Sequence, residues 1–364
     1  MVDESFERLE SKLRRLLPSE VFQPAESRLL WLPFHYSVIA LGVLAIVWTD
    51  ALWVKFLISF FLGLSFAGLA FVGHEALHGA LTKRRHLRRI AGVLGFLPFS
   101  LPPRLWIAWH NRVHHGNANI AGLDPDALAT LEEYQGSKKA RAITNVQAKT
   151  RGIVTLLIGF TVQSLQVLLS SVRYGLLDAR GRRLALLETL AMFGFWVGLG
   201  ALIGFGNWLF AFVVPLLIGN GIVMMHIVTN HGLSRLVDHN DTLASSLSVT
   251  VPRFFSFYTL DFGYHTEHHL LPGVSLRHGP AIREKILELA PDRYQSLPLS
   301  HALLRFFEQL RVYRDPKTLL DPTTGRTRKA LGGRREGPAP PSSKSRPRRA
   351  PAPRIRPALH PVRG

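Results

Sequence analysis

The stretch 51-ALWVKFLISFFLGLSFAGLAFVGHEALH-78 decides how this chain is read. Residues 51–73 carry a single charge, Lys55, and the run ends in His74 and His78 on either side of Glu-Ala-Leu. A helix needs about 20 apolar residues to cross a bilayer, and a soluble core helix seldom stays uncharged that long. The stretch therefore predicts a membrane span that delivers two imidazoles to the membrane surface. Outward from it the pattern repeats. Residues 29–49 contain no Asp, Glu, Lys or Arg, and neither do residues 189–234, which are broken near the middle by Gly204-Phe-Gly-Asn207. These runs predict an all-α integral membrane protein with four transmembrane helices in two hairpins, at about 29–49, 51–73, 184–204 and 207–229.

Two further apolar runs are read as interfacial or re-entrant. Residues 90–103 are too short to span and hold three prolines. Residues 152–172 are long enough, but Gln163, Gln166 and several serines weaken them as a lipid-facing span. The dense basic runs (Lys12/Arg14/Arg15, Lys83 to Arg89, Arg173 to Arg183) all flank the same side of this arrangement, whereas the hairpin tips offer little charge. The positive-inside rule places both termini and the middle region in the cytoplasm of a multi-pass protein, in a bacterial-type inner membrane or the endoplasmic reticulum. Residues 1–28 are charged and amphipathic, with Phe6, Leu9, Leu13, Leu16 and Leu17 among charges, and read as a cytoplasmic segment rather than a signal peptide. The 364-residue chain has a net charge of +19. Residues 326–364 hold twelve Lys and Arg, one acidic residue and eight prolines, the composition of a disordered tail; without interleaved aromatics it does not indicate nucleic-acid binding.

There is no cysteine, which excludes disulfides, thiolate zinc sites, iron–sulfur clusters and a cysteine nucleophile. There are, however, 16 histidines, and eight of them fall in three groups: His74-Glu-Ala-Leu-His78, His110-Asn-Arg-Val-His114-His115 and His265-Thr-Glu-His268-His269. Spacings of three and four place side chains on one helix face, about 5–6 Å apart at Cβ, close enough to share a metal. All three groups lie outside the bilayer on one side. So many neutral imidazoles suit two transition metals, and oxygen chemistry makes iron the natural candidate, although spacing does not separate it from zinc, copper or manganese. His35 reads as a buried polar residue of the first span, and His86, His239, His301 and His360 as solvated. The first group also matches H-E-x-x-H, so a membrane zinc metallopeptidase with Glu75 as base is a rival reading; it leaves two histidine groups unexplained.

The ordered boxes HxxxH, HxxxHH and HxxHH resemble the membrane fatty acid desaturase family and its hydroxylase and ketolase relatives. So do Asp124-Pro-Asp126 after the second box and the Leu270-Leu-Pro272 that follows the third. The similarity runs over residues 31–289. It implies a cytoplasmic helical cap holding a non-haem di-iron centre, with O2 as co-substrate and a long-chain acyl lipid or thioester as substrate. It also implies a ninth ligand near the end of the fourth span. His231 is favoured because it lies just beyond the apolar run, with His226 as the alternative and Asn230 able to hold a metal-bound water. Glu75, Asn111, Asp124 and Glu267 are candidates to orient the ligands. The third box begins with His265 rather than the Gln common in front-end desaturases, and no His-Pro-Gly-Gly haem motif is present. The electron donor is therefore expected to be a separate ferredoxin or cytochrome b5 with its reductase. Desaturation is the favoured reaction, with lipid or carotenoid hydroxylation or ketolation as the alternative.

Overall fold

The computed structural model describes residues 4–308 and 312–332, which are mostly helical. Long apolar runs become long helices because only a helix satisfies its own backbone polar groups away from water. Trp31–Trp48 and Leu52–Leu77 form one hairpin. Ala179–Ile203 and Phe205–Asn230 form the other, reversing at Gly204 (φ +82°), a backbone angle that favours glycine. Lys55 is the only Asp, Glu, Lys or Arg of residues 51–73, and its ammonium donates to Asn207 Oδ1 (2.7 Å), tying the two hairpin tips together. The outward faces carry Leu41, Trp48, Trp53, Phe56, Leu187 and Phe195, all exposed, an apolar surface too extensive for a water-soluble monomer. The chain is a membrane protein. Among the described residues five helices, including Ala148–Ser170, are long and apolar enough to cross a bilayer.

Leu52–Leu77 is the hub, buried along its C-terminal half up to the first histidine box. Arg85–Phe96 packs against it so closely that a Cβ on Gly95 would lie 2.5 Å from Gly73 Cα. The expected re-entrant run is a sharp break: residues 85–99 and 103–117 are helical and meet at 99°, with Pro98, Pro102 and Pro103 preventing continuation. The break frees carbonyls in an apolar setting. Tyr36 Oη donates to Leu94 O (2.7 Å) and Trp196 Nε1 to Leu97 O (3.0 Å), so neighbouring helices supply what water cannot.

Above the long helices lies a layer of short elements. The amphipathic segment Glu4–Leu16 is helical, and Leu9, Leu13 and Leu17 pack on Leu270, Ile282, Ile286 and Tyr294. The all-helical expectation needs correction here. Ser248–Thr250 pairs in parallel with Ser296–Pro298, and Val312–Asp315, Thr318–Leu320 and Thr327–Lys329 form an antiparallel sheet. The last strand also moves the start of the proposed tail. Residues 326–332 belong to the fold, because Thr327–Lys329 pairs with Thr318–Leu320 and Leu331 exchanges backbone bonds with Leu233 (2.7 Å) and Arg235 (2.8 Å). Averaging composition over the whole basic run hid a hairpin at its start. Residues 333–364 lie outside the described residues.

Candidate metal centre

The three histidine boxes arrive from three directions. His74 and His78 end the Leu52–Leu77 helix. The second box lies on helical residues 103–117, which are π-helical over Ile107–His114. The wider π turn often marks functional positions, and here it accompanies a division of neighbours. His115 joins His74, His78, His110 and His268, whereas His114 joins His231 and His269. The third box occupies the short helix His265–Leu270, buried throughout. Within each group the ligand atoms lie within 4.8 Å of one another.

The two groups adjoin where the His115 and His269 rings stack at 4.3 Å between centroids. His74 Nε2 is 3.1 Å from His110 Nε2, and His268 Nε2 is 3.1 Å from His115 Nε2. In the second group His231 Nε2 lies 3.1 Å from His269 Nε2, and His265, outside the group, brings its Nε2 to 2.7 Å from His231 Nε2. A facing pair of imidazole nitrogens can share one proton, but clusters of three and five cannot satisfy one another, and the buried Nε2 of His78 has no hydrogen-bond partner. Cations satisfy all of them. Burial holds the imidazoles of His110, His115, His265, His268 and His269 well below the ordinary histidine range, with neighbouring imidazoles acting in the same direction. They are therefore neutral, the form that ligates a metal. The donor set fits two borderline transition metals.

Of the four residues expected to orient ligands, Asp124 does so directly. Its Oδ1 accepts from His114 Nδ1 (2.9 Å) and from Asp126 N (3.0 Å), and its Oδ2 accepts from Asn119 N (2.8 Å). Burial would lower His114, but the carboxylates of Asp124 and Asp126 override it and lift the imidazole to about 9, so a metal at its Nε2 would have to displace the proton there. Glu75 faces away from the histidines. Its carboxylate takes Arg28 (3.1 Å), Leu276 N (2.6 Å) and Ser275 Oγ (3.3 Å), while Arg28 also pairs with Asp261. A carboxylate so occupied is an anchor between the first box and the segments on either side of the third, not a peptidase base. Glu267 is likewise turned outward, accepting from Ser248 Oγ (2.6 Å) and Tyr294 Oη (2.6 Å), and burial pushes its carboxyl up. Asn111 Nδ2 reaches only Leu77 O, at 3.4 Å.

His231, not His226, meets the boxes. Its Nδ1 lies 3.1 Å from Ser245 O, a bond that fixes the ring and leaves Nε2 for the site. His226 is buried against Phe71 and Phe262 without a hydrogen-bond partner, and neither amide atom of Asn230 has one. His35 is fully buried beside Trp31 and Tyr258, outside both groups. His86 and His301 are exposed, His239 is half-buried beside Asp238, and His360 lies outside the described residues.

Sequence reasoning missed three contributors. Asp126 lies with His110 and His114 in a further group, its Oδ1 accepting from Trp109 Nε1 (3.1 Å) and Gln163 Nε2 (2.6 Å) and its Oδ2 3.4 Å from His114 Nδ1. Burial raises its carboxyl to about 6. Its place in Asp-Pro-Asp was the available signal. Gln163 had counted only against a lipid-facing helix. Asn119 Nδ2 donates to His231 O (3.0 Å) and Ser245 O (3.2 Å), joining the loop after the second box to the end of the last long helix. Beside the histidines lies an apolar chamber of about 50 Å³ bounded by Ala70, Phe71, Phe96, Phe160, Val223 and Ile227.

Comparison with curated proteins gave no match. The family model described as Fatty acid desaturase matches residues 51–299, from the second long helix past the third histidine box. With that match over more than half its length, the chain belongs to the fatty acid desaturase family.

Proposed function

We propose that the protein is an O2-dependent desaturase that introduces a C=C bond into a long acyl chain at a di-iron centre. The observation that carries the reading is the gathering of eight histidines in two adjacent groups, with His265 against His231, beside an apolar chamber that five of these nine side chains line. Five ligands (His74, His78, His110, His115 and His268) hold one iron, and His114, His231, His265 and His269 hold the other. When bound, the metal pair supplies the O2-dependent oxidation that removes hydrogen from an unactivated methylene, which no acid or base can do because that C–H bond is not acidic.

The chain's own residues do the positioning. Asp124 and Ser245 O fix the rings of His114 and His231 through Nδ1, so that the opposite nitrogen points into the site. Phe71, Phe96 and Val223 exclude water and hold the acyl chain against the histidines. Asp126, the carboxylate beside the chamber, is held by Trp109 and Gln163. Electrons come from a separate ferredoxin or cytochrome b5 type donor with its reductase.

Four crossings with the site and termini in the cytoplasm support this arrangement better than five. The Ala148–Ser170 helix begins with Gly152 against Phe307 and places Gln163 on Asp126 beside the histidines. The next helix pairs Glu188 with Arg104 (2.9 Å), on the stretch that carries the second box, and with Arg89 (3.5 Å). The middle of Ala148–Ser170 thus packs beside the histidines, and the helix after it returns to the stretch that carries the second box. The test is analysis of fatty acids from expressing cells by mass spectrometry, with iron content of the purified protein. New O2-dependent double bonds, lost in His269→Ala, are expected. Hydroxyl or keto products would instead assign the hydroxylase or ketolase reaction, and an unchanged lipid profile would remove the proposal.

A further inference from the structure

The antiparallel sheet of residues 312–329, and Leu331 and Gly332 after it, lie beyond the family match, which ends at residue 299. Their contacts converge on one part of the site. Tyr313 is 1% exposed and ties two segments together. Its N–H donates to Ala129 O (2.9 Å), in the loop that carries Asp124, and its hydroxyl donates to Ser234 O, just beyond His231. Burial, and after it the Asp124 carboxylate, push that phenol up, so it stays protonated and remains a donor. Its side chain clusters with Leu236 and Leu319, with Ala127 and Leu128 packed against them.

The grip on the His231 side is repeated. Leu331 N donates to Leu233 O (2.7 Å), Arg235 N to Leu331 O (2.8 Å) and Leu236 N to Pro316 O (2.9 Å). Gly332 (φ +105°) comes so close that a Cβ there would lie 2.0 Å from Ala244 O. Ala244 precedes Ser245, whose carbonyl lies against His231 Nδ1, while Asp124 on the other side holds His114 Nδ1. The sheet thus grips the two segments that orient His114 and His231, the neighbours of His269 in the smaller group. The larger group has its own anchor. His74 and His78 end the Leu52–Leu77 helix, where Glu75 pairs with Arg28 and accepts from Leu276 N.

An imidazole ligates well only while the group on its other nitrogen holds the ring in place. We propose that the C-terminal sheet, with Tyr313 and Gly332 as positioning residues, is the clamp of one metal site, holding the second-box loop and the segment after the last long helix where His114 and His231 share an ion. Loosening the clamp frees the iron of that group and spares the iron held by His74, His78, His110, His115 and His268. The inference rests on the two-iron reading and deepens it.

The test counts iron per chain in purified full-length protein against graded chelator, beside the melting temperature in detergent. Tyr313→Phe keeps the ring and removes the donor to Ser234 O. One iron then leaves at about 10-fold less chelator, the low end of what losing an outer hydrogen bond typically costs, and the other leaves at the wild-type concentration. Gly332→Ala, which drives a Cβ onto Ala244 O, gives the same split. Where Tyr313→Phe retains one iron, its double variant with His78→Ala retains none. Should one variant fail to insert, the other carries the test. A sheet that only stabilises the fold releases both irons together, in step with a lower melting temperature. That result, wild-type release in both variants, or failure of both to insert overturns the clamp while leaving the two-iron reading intact. Wild-type protein that binds fewer than two irons removes that reading, and the clamp with it.

Discussion

Replacing Asp124 by Asn changes one atom and should disable one ligand. The carboxylate accepts three hydrogen bonds in fixed directions: His114 Nδ1 and Asp126 N at Oδ1, and Asn119 N at Oδ2. An amide has only one acceptor oxygen. With that oxygen at the Oδ1 position, its NH2 faces the Asn119 N–H, donor against donor, in a buried setting. With the amide reversed, the NH2 faces His114 Nδ1 and favours the tautomer protonated on the nitrogen meant for metal. Either arrangement weakens the site. Loss of such an outer hydrogen bond typically costs about 10–100-fold in metal affinity, or about 1.4–2.8 kcal/mol at 1.4 kcal/mol per tenfold. Asp126→Asn is the internal control. Its oxygen can still accept from Trp109 and Gln163 while its NH2 faces His114 across a longer 3.4 Å, so a smaller loss is expected. The assay is iron retained by purified protein against graded chelator, together with product yield. Asp124→Asn that retains iron and turnover like the wild type would refute the reasoning.

Other expectations follow from the same geometry. Arg28 and Glu75 are buried partners (side chains 13% and 2% exposed), so Arg28→Gln, which strands the carboxylate, should destabilise the protein by about 3–5 kcal/mol, seen as a lower melting temperature in detergent that Glu75→Gln added to it partly restores; an unchanged melt contradicts the anchor role. In this cysteine-free chain, Arg182→Cys should react with an impermeant maleimide only in opened cells and Gly206→Cys in intact ones. Gly181 is the poorer reporter position because a Cβ there would lie 2.8 Å from Asp178 Oδ1, which caps the helix; labelling of the Arg182 position in intact cells would overturn the four-crossing topology. Deleting residues 335–364 should leave insertion and iron content intact, whereas deletion from Arg326 removes a paired strand and several backbone hydrogen bonds worth about 0.5–1.5 kcal/mol each. Equal stability of the two truncations would show that the strand contributes nothing.

Local chemistry was legible in the sequence wherever it depends on near neighbours in the chain. Apolar runs of spanning length, prolines at the break and histidines three and four apart announce long helices, a sharp bend and clustered imidazoles that could hold metal, because solvation and helix periodicity act over a few residues. His231 was also within reach, since its distance past the apolar run tells how far it can extend. Partner choice was not legible. That His114 and His115 go to different groups follows from where a π-helical stretch meets two other elements. That Glu75 serves Arg28 while Asp124 serves His114 depends on which loops pack against each carboxylate. Gln163 reaches Asp126, 37 positions earlier, and Leu331 reaches Leu233 through an isolated parallel bridge, so neither the role of the 148–170 helix nor the inner edge of the tail could be read from composition. Hydrogen bonds and ion pairs act over about 3 Å of space, and only the folded chain determines which groups come that close.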